Sequence, residues 1–209
     1  MEYILNHPDR MLELILQHLE IVVIAVVLAL LIGIPLGIVV TRVRWLEPPV
    51  TGIAGVLYTI PSLALFAVLI PFTGLSATTA ITALTLYSLL VIIRNTAAAI
   101  DSVDPAMEDA AKGVGMTNVQ RLFFVELPLG VPVILAGVRV AVVSAVGIAA
   151  IAAYIGAGGL GLLIFEGIRT TDPDRIIAGA FMASLLALSA DFGLKRLEAT
   201  LRRDRPTQL

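Results

Sequence analysis

The sequence predicts an all-α, polytopic membrane protein with about five transmembrane helices. Composition is the first reason: of 209 residues, 58% are hydrophobic and 14% are charged, and the mean hydropathy is +0.98. Soluble globular domains are about half apolar and a quarter charged, so this chain has too little polar surface to cover itself in water. The second reason is a series of apolar runs with almost no charge, at Ile21–Val40, Val50–Phe72, Ser76–Ile93, Gly130–Ala153 and Ile176–Leu194.

Each apolar run is interpreted as one span. The first is uncharged and reaches about 30 Å as a helix, which matches the hydrocarbon core of a bilayer. Pro61 interrupts the second run, the third has no charge, Arg139 is the single charge of the fourth, and Asp191 lies near the end of the fifth. Around this transmembrane domain (20–198), residues 1–19 are expected to form an amphipathic helix at the outer membrane surface, and 199–209 a cytoplasmic basic tail.

The distribution of basic residues predicts the orientation. If the N-terminus lies outside, ten basic residues fall in cytoplasmic segments and three in outer segments, as the positive-inside rule requires. The cytoplasmic set is Arg42, Arg44, Arg94, Lys112, Arg121, Lys195, Arg196, Arg202, Arg203 and Arg205, and the outer set is Arg10, Arg169 and Arg175. We therefore expect an external N-terminus, a cytoplasmic C-terminus and a long cytoplasmic connection between the third and fourth spans.

Several classes of function lack the residues that they need. A net charge of −2 argues against nucleic acid as a partner, and the absence of cysteine excludes disulfides and thiolate-bound metals. The only histidines, His7 and His18, lie outside the long runs, which argues against haem or zinc inside the bundle. No phosphate-binding Gly-x-x-x-x-Gly-Lys-Ser/Thr pattern occurs. We therefore predict no catalytic residues, no metal site and no cofactor in this chain.

The cytoplasmic loop from Asp101 to Pro128 contains the clearest local signals. Asp104 is expected to cap a helix that begins at Pro105. Gly113 and Gly115 permit a sharp turn, and Thr117-Asn118-Val119-Gln120 is a capping-box pattern that opens a second helix. Long loops more often carry function than serve only as connectors, although a plain connector is the alternative. The pattern predicts two short helices that dock a separate soluble subunit.

The spacing in this loop resembles a known signature. Asp109-Ala110-Ala111, three residues, Gly115, nine residues and Val125-Glu126-Leu127-Pro128 is similar to the EAA motif of the membrane subunits of ABC importers, with Asp109 in place of Glu and Val125 in place of Ile. In that family the loop forms a coupling helix that contacts the ATP-binding subunit. The resemblance implies that this contact involves Glu108, Asp109, Ala110, Ala111, Gly115, Met116, Thr117, Leu127 and Pro128.

Further motifs resemble the subgroup that imports quaternary-ammonium osmoprotectants such as glycine betaine, choline and carnitine. They are Thr59–Leu65, Val125–Leu129, Ala136–Arg139 and Ile155–Gly161. Methionine and other amino-acid importers share similar features and remain the alternative, and proline is a further osmoprotectant candidate. A channel, a secondary transporter or a membrane enzyme is the alternative of another class, although no buried acidic relay or convergent catalytic set supports one.

The resemblance implies a type I ABC importer permease fold and a set of partners. These are ATP-binding subunits that hold ATP and Mg²⁺, a second permease subunit (identical or different), an extracytoplasmic substrate-binding protein and the lipid membrane. It also implies a multi-pass location in the cytoplasmic (inner) membrane of a bacterium or archaeon. The energy source is then a separate subunit.

Gly156-Ala157-Gly158-Gly159-Leu160-Gly161 fits the Gly-x-Gly-x-x-Gly spacing of a dinucleotide fingerprint. That interpretation requires a preceding strand, whereas a membrane span precedes this segment. Irregular backbone at membrane depth survives where protein covers it. We therefore predict a re-entrant or sharply bent segment at the outer face, with a plain outer loop as the alternative.

The remaining signals concern the interior of the bundle. Gly33 and Gly37, and a stripe that repeats every fourth residue from Gly137 to Ala153, favour close helix packing. Arg139 is expected to snorkel or to pair within the bundle, and Asp191 is expected to pair with Lys195 four residues later. Pro61 frees backbone groups in mid-membrane, so the pathway interpretation is preferred to a simple kink. The candidate pathway residues are Tyr58, Thr59, Pro61, Ser62, Tyr87 and Asn95, with Ser88 as a weaker one.

Overall fold

A computed structural model describes residues 2–203 of the chain, and its side chains from residue 3 to residue 200. All regular structure within this range is helical. The α-helices are α1 (Glu2–Asn6), α2 (Pro8–Arg42), α3 (Glu47–Thr59), α4 (Ser62–Thr73), α5 (Ala77–Asp101), α6 (Pro105–Gly113), α7 (Asn118–Arg121), α8 (Leu127–Ala152), α9 (Gly161–Thr170) and α10 (Pro173–Arg203). A π-turn (Leu122–Glu126) and two 3₁₀ turns (Arg44–Leu46 and Ala153–Ile155) join them.

The predicted number of spans is confirmed. Four helices, α2, α5, α8 and α10, are long and apolar enough to cross a membrane. The second predicted span is a broken one: α3 and α4 meet at an angle of 102°, and together they supply the fifth crossing if the pair counts as one span. The break lies at Ile60 and Pro61, whose ψ angles of 129° and 138° are extended rather than helical.

Most of residues 1–19, predicted to form an amphipathic helix at the membrane surface, are continuous with the helix of the first span, and their position relative to the membrane stays a prediction. α2 runs without interruption from Pro8 to Arg42, so residues 8–19 belong to the same helix as the span. Met11 and Leu14 are buried in a small core with Leu160, just before α9, and Leu163 of α9, and this burial favours a continuous helix. Residue 1 and the end of the predicted basic tail, 204–209, lie outside the described residues.

α5 is the central helix of the bundle, between α2 and α8. Its close approach to both depends on glycine, as the sequence predicted. A Cβ atom at Gly33 would lie 2.7 Å from Ile92 Cγ2, one at Gly37 would lie 2.5 Å from Thr96 Cβ, and one at Gly137 would lie 2.5 Å from Asn95 Cβ. Such contacts place helix backbones close together and increase their dispersion contacts.

The four long spans differ greatly in burial. In the most apolar window of α5, 56% of the residues are buried within this chain, against 11% in the window of α10. The predicted small-residue stripe on α8 is buried at Ala141, Ala145, Ala149 and Ala153. The core therefore lies on the α2–α5–α8 side, and α10 covers one flank of α8.

One predicted ion pair is wrong and another is confirmed. Asp191 does not pair with Lys195. It lies 2.9 Å from Arg139 Nη2 on α8, and Glu198 Oε2 lies 3.1 Å from Arg139 Nη1. Arg139 therefore pairs within the bundle, as predicted, and joins α8 to α10. Lys195 lies four residues after Asp191 on the same helix surface and was the predicted partner for that reason. Arg139 is the partner instead, and it donates two hydrogen bonds to Asp191 Oδ1.

Candidate coupling surface and central cavity

The loop between α5 and α8 begins with the cap that the sequence predicts. Asp104 Oδ1 accepts a hydrogen bond of 2.8 Å from the backbone N–H of Ala106, at the start of α6. Pro105 occupies the first helical position, where its missing N–H costs nothing. Lys112 lies in the last turn of α6, and its Nζ is 2.9 Å from Asp109 Oδ1. Local sequence therefore specifies the position and length of α6.

A turn at Gly115 redirects the chain between α6 and α7. Gly115 has a φ of +81°, a conformation that residues with a Cβ rarely adopt. The N–H of Met116 bonds to the carbonyl of Ala111 at 3.1 Å, which gives α6 a Schellman-type end. Gly113 has no such φ, so the two glycines have different structural roles.

The predicted capping box at the start of α7 is confirmed. The Thr117 side chain accepts from the Gln120 N–H at 3.3 Å, and the Gln120 side chain accepts from the Thr117 N–H at 2.8 Å. These reciprocal bonds satisfy two orphan donors of a helix that is only one turn long. The loop thus forms two short, capped helices at an angle.

Most of the predicted coupling residues lie on the surface. Ala111 is the one that is buried, within α6. The rest are exposed (Asp109, Ala110, Gly115, Thr117 and Pro128) or half-buried (Glu108, Met116 and Leu127). The sequence interpretation missed two neighbours, Val114 and Val119, which are 75% and 64% exposed. Their signal was an apolar residue on each side of the Gly115 turn. Exposed valines beside charged residues give this surface the mixed character of a docking site.

An ion pair joins the end of this loop to α2. Glu126 is completely buried, and its Oε2 accepts from Arg42 Nη2 at the end of α2. Its Oε1 has no hydrogen-bond partner among the described residues. Glu126 occupies the unspecified position between Val125 and Leu127 of the signature, so the motif gave no reason to select it. The only sequence signal was a carboxylate within an apolar stretch.

The break between α3 and α4 opens onto a cavity of about 520 Å³. α5 and α8 form its other walls. Five of the six predicted pathway residues line it: Tyr58, Thr59, Pro61, Ser62 and Tyr87. Asn95 does not; it lies further along α5, packs against Gly137 and donates to the Val91 carbonyl at 2.8 Å. The sequence interpretation also missed Ser144 and Gly147 of α8, although Ser144 is the only hydroxyl residue in that apolar run.

Apolar side chains make up most of the cavity wall, two tyrosines and four hydroxyl residues add polar groups, and none of the described residues that line it is charged. The Tyr58 and Tyr87 rings meet edge to face, with centroids 6.2 Å apart and planes at 76°. The Tyr87 hydroxyl donates to the carbonyl of Ile60, at the break itself. This bond satisfies a carbonyl that the broken helix leaves free, so Tyr87 supports the geometry of the bend. The Ser88 hydroxyl also lines the cavity and donates to the Leu84 carbonyl at 2.9 Å.

The glycine-rich segment lies at the opposite end of the bundle from the loop. The chain turns sharply after α8, with positive φ at Gly156, Gly158 and Gly159, and a helix rather than a strand precedes it. This confirms the predicted bend and leaves the dinucleotide fingerprint without its strand. Gln17 Oε1 accepts from Gly159 N–H at 3.2 Å, and His18 Nδ1 accepts from Leu160 N–H at 3.3 Å.

Comparison with known sequences gives consistent matches. Residues 29–203 match the family described as binding-protein-dependent transport system inner membrane component. The osmoprotectant import permease protein OsmW of Salmonella typhimurium is 48% identical, over 95% of this chain and 95% of that protein. The carnitine transport permease protein OpuCB of Listeria monocytogenes is 43% identical, over 88% and 85%. The glycine betaine/carnitine/choline permease protein OpuCD of Bacillus subtilis is 45% identical, over 95% and 87%.

Solved structures match the fold. An inward-facing structure of the MetNI methionine ABC transporter superposes with a TM-score of 0.85 at 20% identity, over 94% of this chain and 98% of that chain. An amino acid ABC transporter superposes with a TM-score of 0.73 at 18% identity, over 97% of both chains. At these identities the likeness concerns the fold alone.

Proposed function

The chain belongs to the binding-protein-dependent transport system inner membrane components and is a permease subunit of an ABC importer, and from this premise we propose that it forms half of a pathway for quaternary-ammonium osmoprotectants. Choline, glycine betaine and carnitine are the candidate substrates. The names of three relatives, 43–48% identical over most of the chain, support this choice. The two amino-acid transporters, at 18–20% identity, support only the fold.

The observation that carries the coupling role is the shape of the α6–α7 loop. Its two capped helices expose charged and apolar side chains on one surface, and the buried Glu126 ties their end to α2. ATP binding and hydrolysis take place in a separate subunit docked here, with Mg²⁺ held by that subunit. Its closure pushes on the loop, and the Arg42–Glu126 pair passes the displacement to the first span. The loop is then cytoplasmic, and the N-terminus is external.

The proposed pathway runs through the cavity at the α3–α4 break. An uncharged wall with hydroxyl groups suits a substrate that has been released by its binding protein. Such a wall binds the substrate weakly, so that the substrate can pass quickly to the other side of the membrane. Aromatic faces attract quaternary ammonium groups through the ring quadrupole, and Tyr58 and Tyr87 supply two rings. A second permease subunit, identical or different, completes the other half. An extracytoplasmic binding protein delivers the substrate at the end opposite to the loop.

The test is ATP-driven uptake by the complete complex in proteoliposomes, with its ATP-binding subunit and binding protein present. Gly115→Val places a β-branched side chain at a φ of +81°, whereas Gly113→Val, in the same turn, meets no neighbour within 4 Å and no positive φ. We expect Gly115→Val to lower both uptake and substrate-stimulated ATP hydrolysis at least tenfold. Gly113→Val serves as the matched control and should stay within twofold of the wild type.

Two results would contradict the proposal at different points. If the Gly115→Val complex, with its ATP-binding subunit still copurifying, transported at the wild-type rate, the loop would not couple. If the wild-type complex imported methionine but neither choline nor glycine betaine, the loop assignment would survive and the substrate class would be wrong. Copurification of the ATP-binding subunit is measured in every variant to separate docking from coupling.

A further inference from the structure

A second cavity, of about 440 Å³, lies at the end of the bundle opposite to the coupling loop. Its volume is within the range of small-molecule pockets. The 3₁₀ turn after α8 supplies one wall and α9 supplies the other. Its main lining residues are Tyr154, Leu162, Phe165, Glu166, Ile168 and Arg169. None of them belongs to the central cavity or to the coupling surface.

Two aromatic rings form a corner of this cavity. The Tyr154 and Phe165 centroids are 5.5 Å apart, and the ring planes are inclined at 53°. Tyr154 is 69% exposed within this chain, so its ring is open to a ligand. Aromatic rings attract a quaternary ammonium group within about 6 Å through the ring quadrupole, and two rings lie side by side here.

The charges around this corner have both signs. Glu166 is half-buried and lines the cavity next to Phe165 in the chain, and Arg169 lies one turn further along α9. Arg175 of α10 lies 3.7 Å from Glu166, at the long limit of an ion pair, and also contacts Asp172 at 3.1 Å. Glu166 therefore keeps part of its negative field in the cavity. Arg169 makes no ion pair with the described residues and is available to a carboxylate.

The outer cavity follows the central one along the chain. Val143, Ser144 and Gly147 of α8 line the central cavity, and Tyr154 lies seven residues after Gly147, in the 3₁₀ turn that follows α8.

We propose that the outer cavity is a reception site for zwitterionic quaternary ammonium ions, with Tyr154 and Phe165 around the ammonium group, Glu166 nearby and Arg169 on the carboxylate. This rests on the proposed function, because it places one step of osmoprotectant transport. Glycine betaine and carnitine carry both charges, whereas choline carries only the cation. The site therefore discriminates between the two kinds of substrate at Arg169 and treats them alike at Tyr154.

The experiment measures uptake of glycine betaine and of choline by the reconstituted complex at saturating, fully loaded binding protein. Arg169→Gln is expected to lower glycine betaine uptake at least fivefold and to leave choline uptake within twofold. Tyr154→Leu removes the ring and is expected to lower both about tenfold, while Tyr154→Phe keeps the ring and both activities. Phe181→Leu, at an exposed aromatic on α10, is the control and should change neither.

The outcomes separate this inference from the proposed function. If the wild-type complex transported neither substrate, the proposed function itself would be wrong. Wild-type transport of both, with Arg169→Gln changing them by the same factor, would overturn the reception site, because a structural role for Arg169 at the end of α9 affects both substrates equally. Equal uptake by Tyr154→Leu and wild type would overturn it as well. Copurification of the ATP-binding subunit in each variant shows that assembly is intact.

Discussion

Both ends of the helical bundle contain ion pairs and close glycine contacts, but they differ in which of these is the most buried or the closest. At the coupling end, charged side chains join separate helices: Arg42 of α2 meets Glu126, and Arg44 meets Asp101 of α5. At the opposite end, glycine backbone packs directly on neighbouring helices. A Cβ at Gly161 would lie 1.9 Å from the Ala150 carbonyl oxygen, and one at Gly159 would lie 2.9 Å from His18 Nδ1.

The difference matches the demands on each end. Long ionic side chains keep contact while helices shift by an ångström or more, so the coupling end can move without coming apart. Backbone-to-backbone packing has no such slack, because interiors are close-packed and deform little. We therefore expect the glycine-rich end to be the more rigid part of the subunit and the coupling end to be displaced more readily. Substitutions at the two ends should separate these properties.

The largest effect is expected from Arg42→Ala. It leaves the Glu126 carboxylate buried without its cation, and Oε1 already has no partner among the described residues. Removing one member of a buried pair costs roughly 3–5 kcal/mol, and the 39% exposure of Arg42 favours the lower end, about 3 kcal/mol. The measurement is unfolding of the purified complex in detergent. The double variant Arg42→Ala/Glu126→Gln removes the stranded charge and should recover most of the loss; no recovery would show that the charge is not the cause.

The next effect is expected from Gly161→Ala. The added methyl collides with the Ala150 carbonyl and with Ala153 Cβ, at 2.8 Å, and backbone cannot turn aside as a flexible side chain would. Overpacking of this kind costs about 1–3 kcal/mol. Gly193→Ala is the matched control, since a Cβ there meets nothing within 4 Å and alanine is the better helix former. Thermal stability in detergent should fall for the first and stay level or rise for the second. Equal shifts would contradict the rigid-end interpretation.

A smaller loss is expected from His18→Phe. The buried imidazole bridges the Val146 carbonyl, 3.1 Å from Nε2, and the Leu160 N–H, 3.3 Å from Nδ1. The Leu160 N–H loses its partner in the variant, at a cost near the lower end of about 1–3 kcal/mol, while the Val146 carbonyl lies inside α8 and keeps its helical hydrogen bond. Hydrogen exchange of the Leu160 amide should speed up together with the loss of stability. His7→Phe, at an exposed position that stacks on Tyr3, should leave both unchanged.

The smallest effect is expected from Asp101→Asn. Asp101 and Arg44 are 40% and 59% exposed, so water and salt screen their pair although its two bonds measure 2.7 and 3.1 Å. We expect no resolvable change in thermal stability at physiological salt. A loss as large as that of Arg42→Ala would show that exposure does not distinguish the two arginines, and the comparison would fail.

The elements that the sequence predicts well are those set by near neighbours. The caps at Asp104 and Thr117 each involve residues within three positions, and the break at Pro61 follows from the missing N–H of one residue. Five of the six candidate pathway residues consequently lie around one cavity, because four of them cluster at that break. The function of these residues stays a prediction.

The elements that it misses depend on distant partners. Glu126 pairs with Arg42, which is 84 residues away in the sequence. Asp191 pairs with Arg139, 52 residues away, rather than with Lys195, which is only four residues away. Asn95 lies outside the cavity that the other five candidates line, because its position on α5 is set by contact with Gly137 of another helix, and its role in the pathway stays a prediction. The start of α2 was missed for the same reason, since its burial depends on α9. Side-chain spacing along one helix carries no information about these contacts.

The contrast in burial between α5 and α10 also has an evolutionary consequence. α5 has neighbours on most sides, so an exchange on one of its faces must be matched by a second exchange on a facing helix. α10 has few neighbours within this chain, and its outward positions can drift among apolar residues independently of the rest. Related permeases should therefore differ from one another more along α10 than along α5, except at Asp191, which is tied to Arg139. In a family that shares one fold, the sequence of the peripheral helix can diverge between lineages, while the sequence of the central helix stays similar.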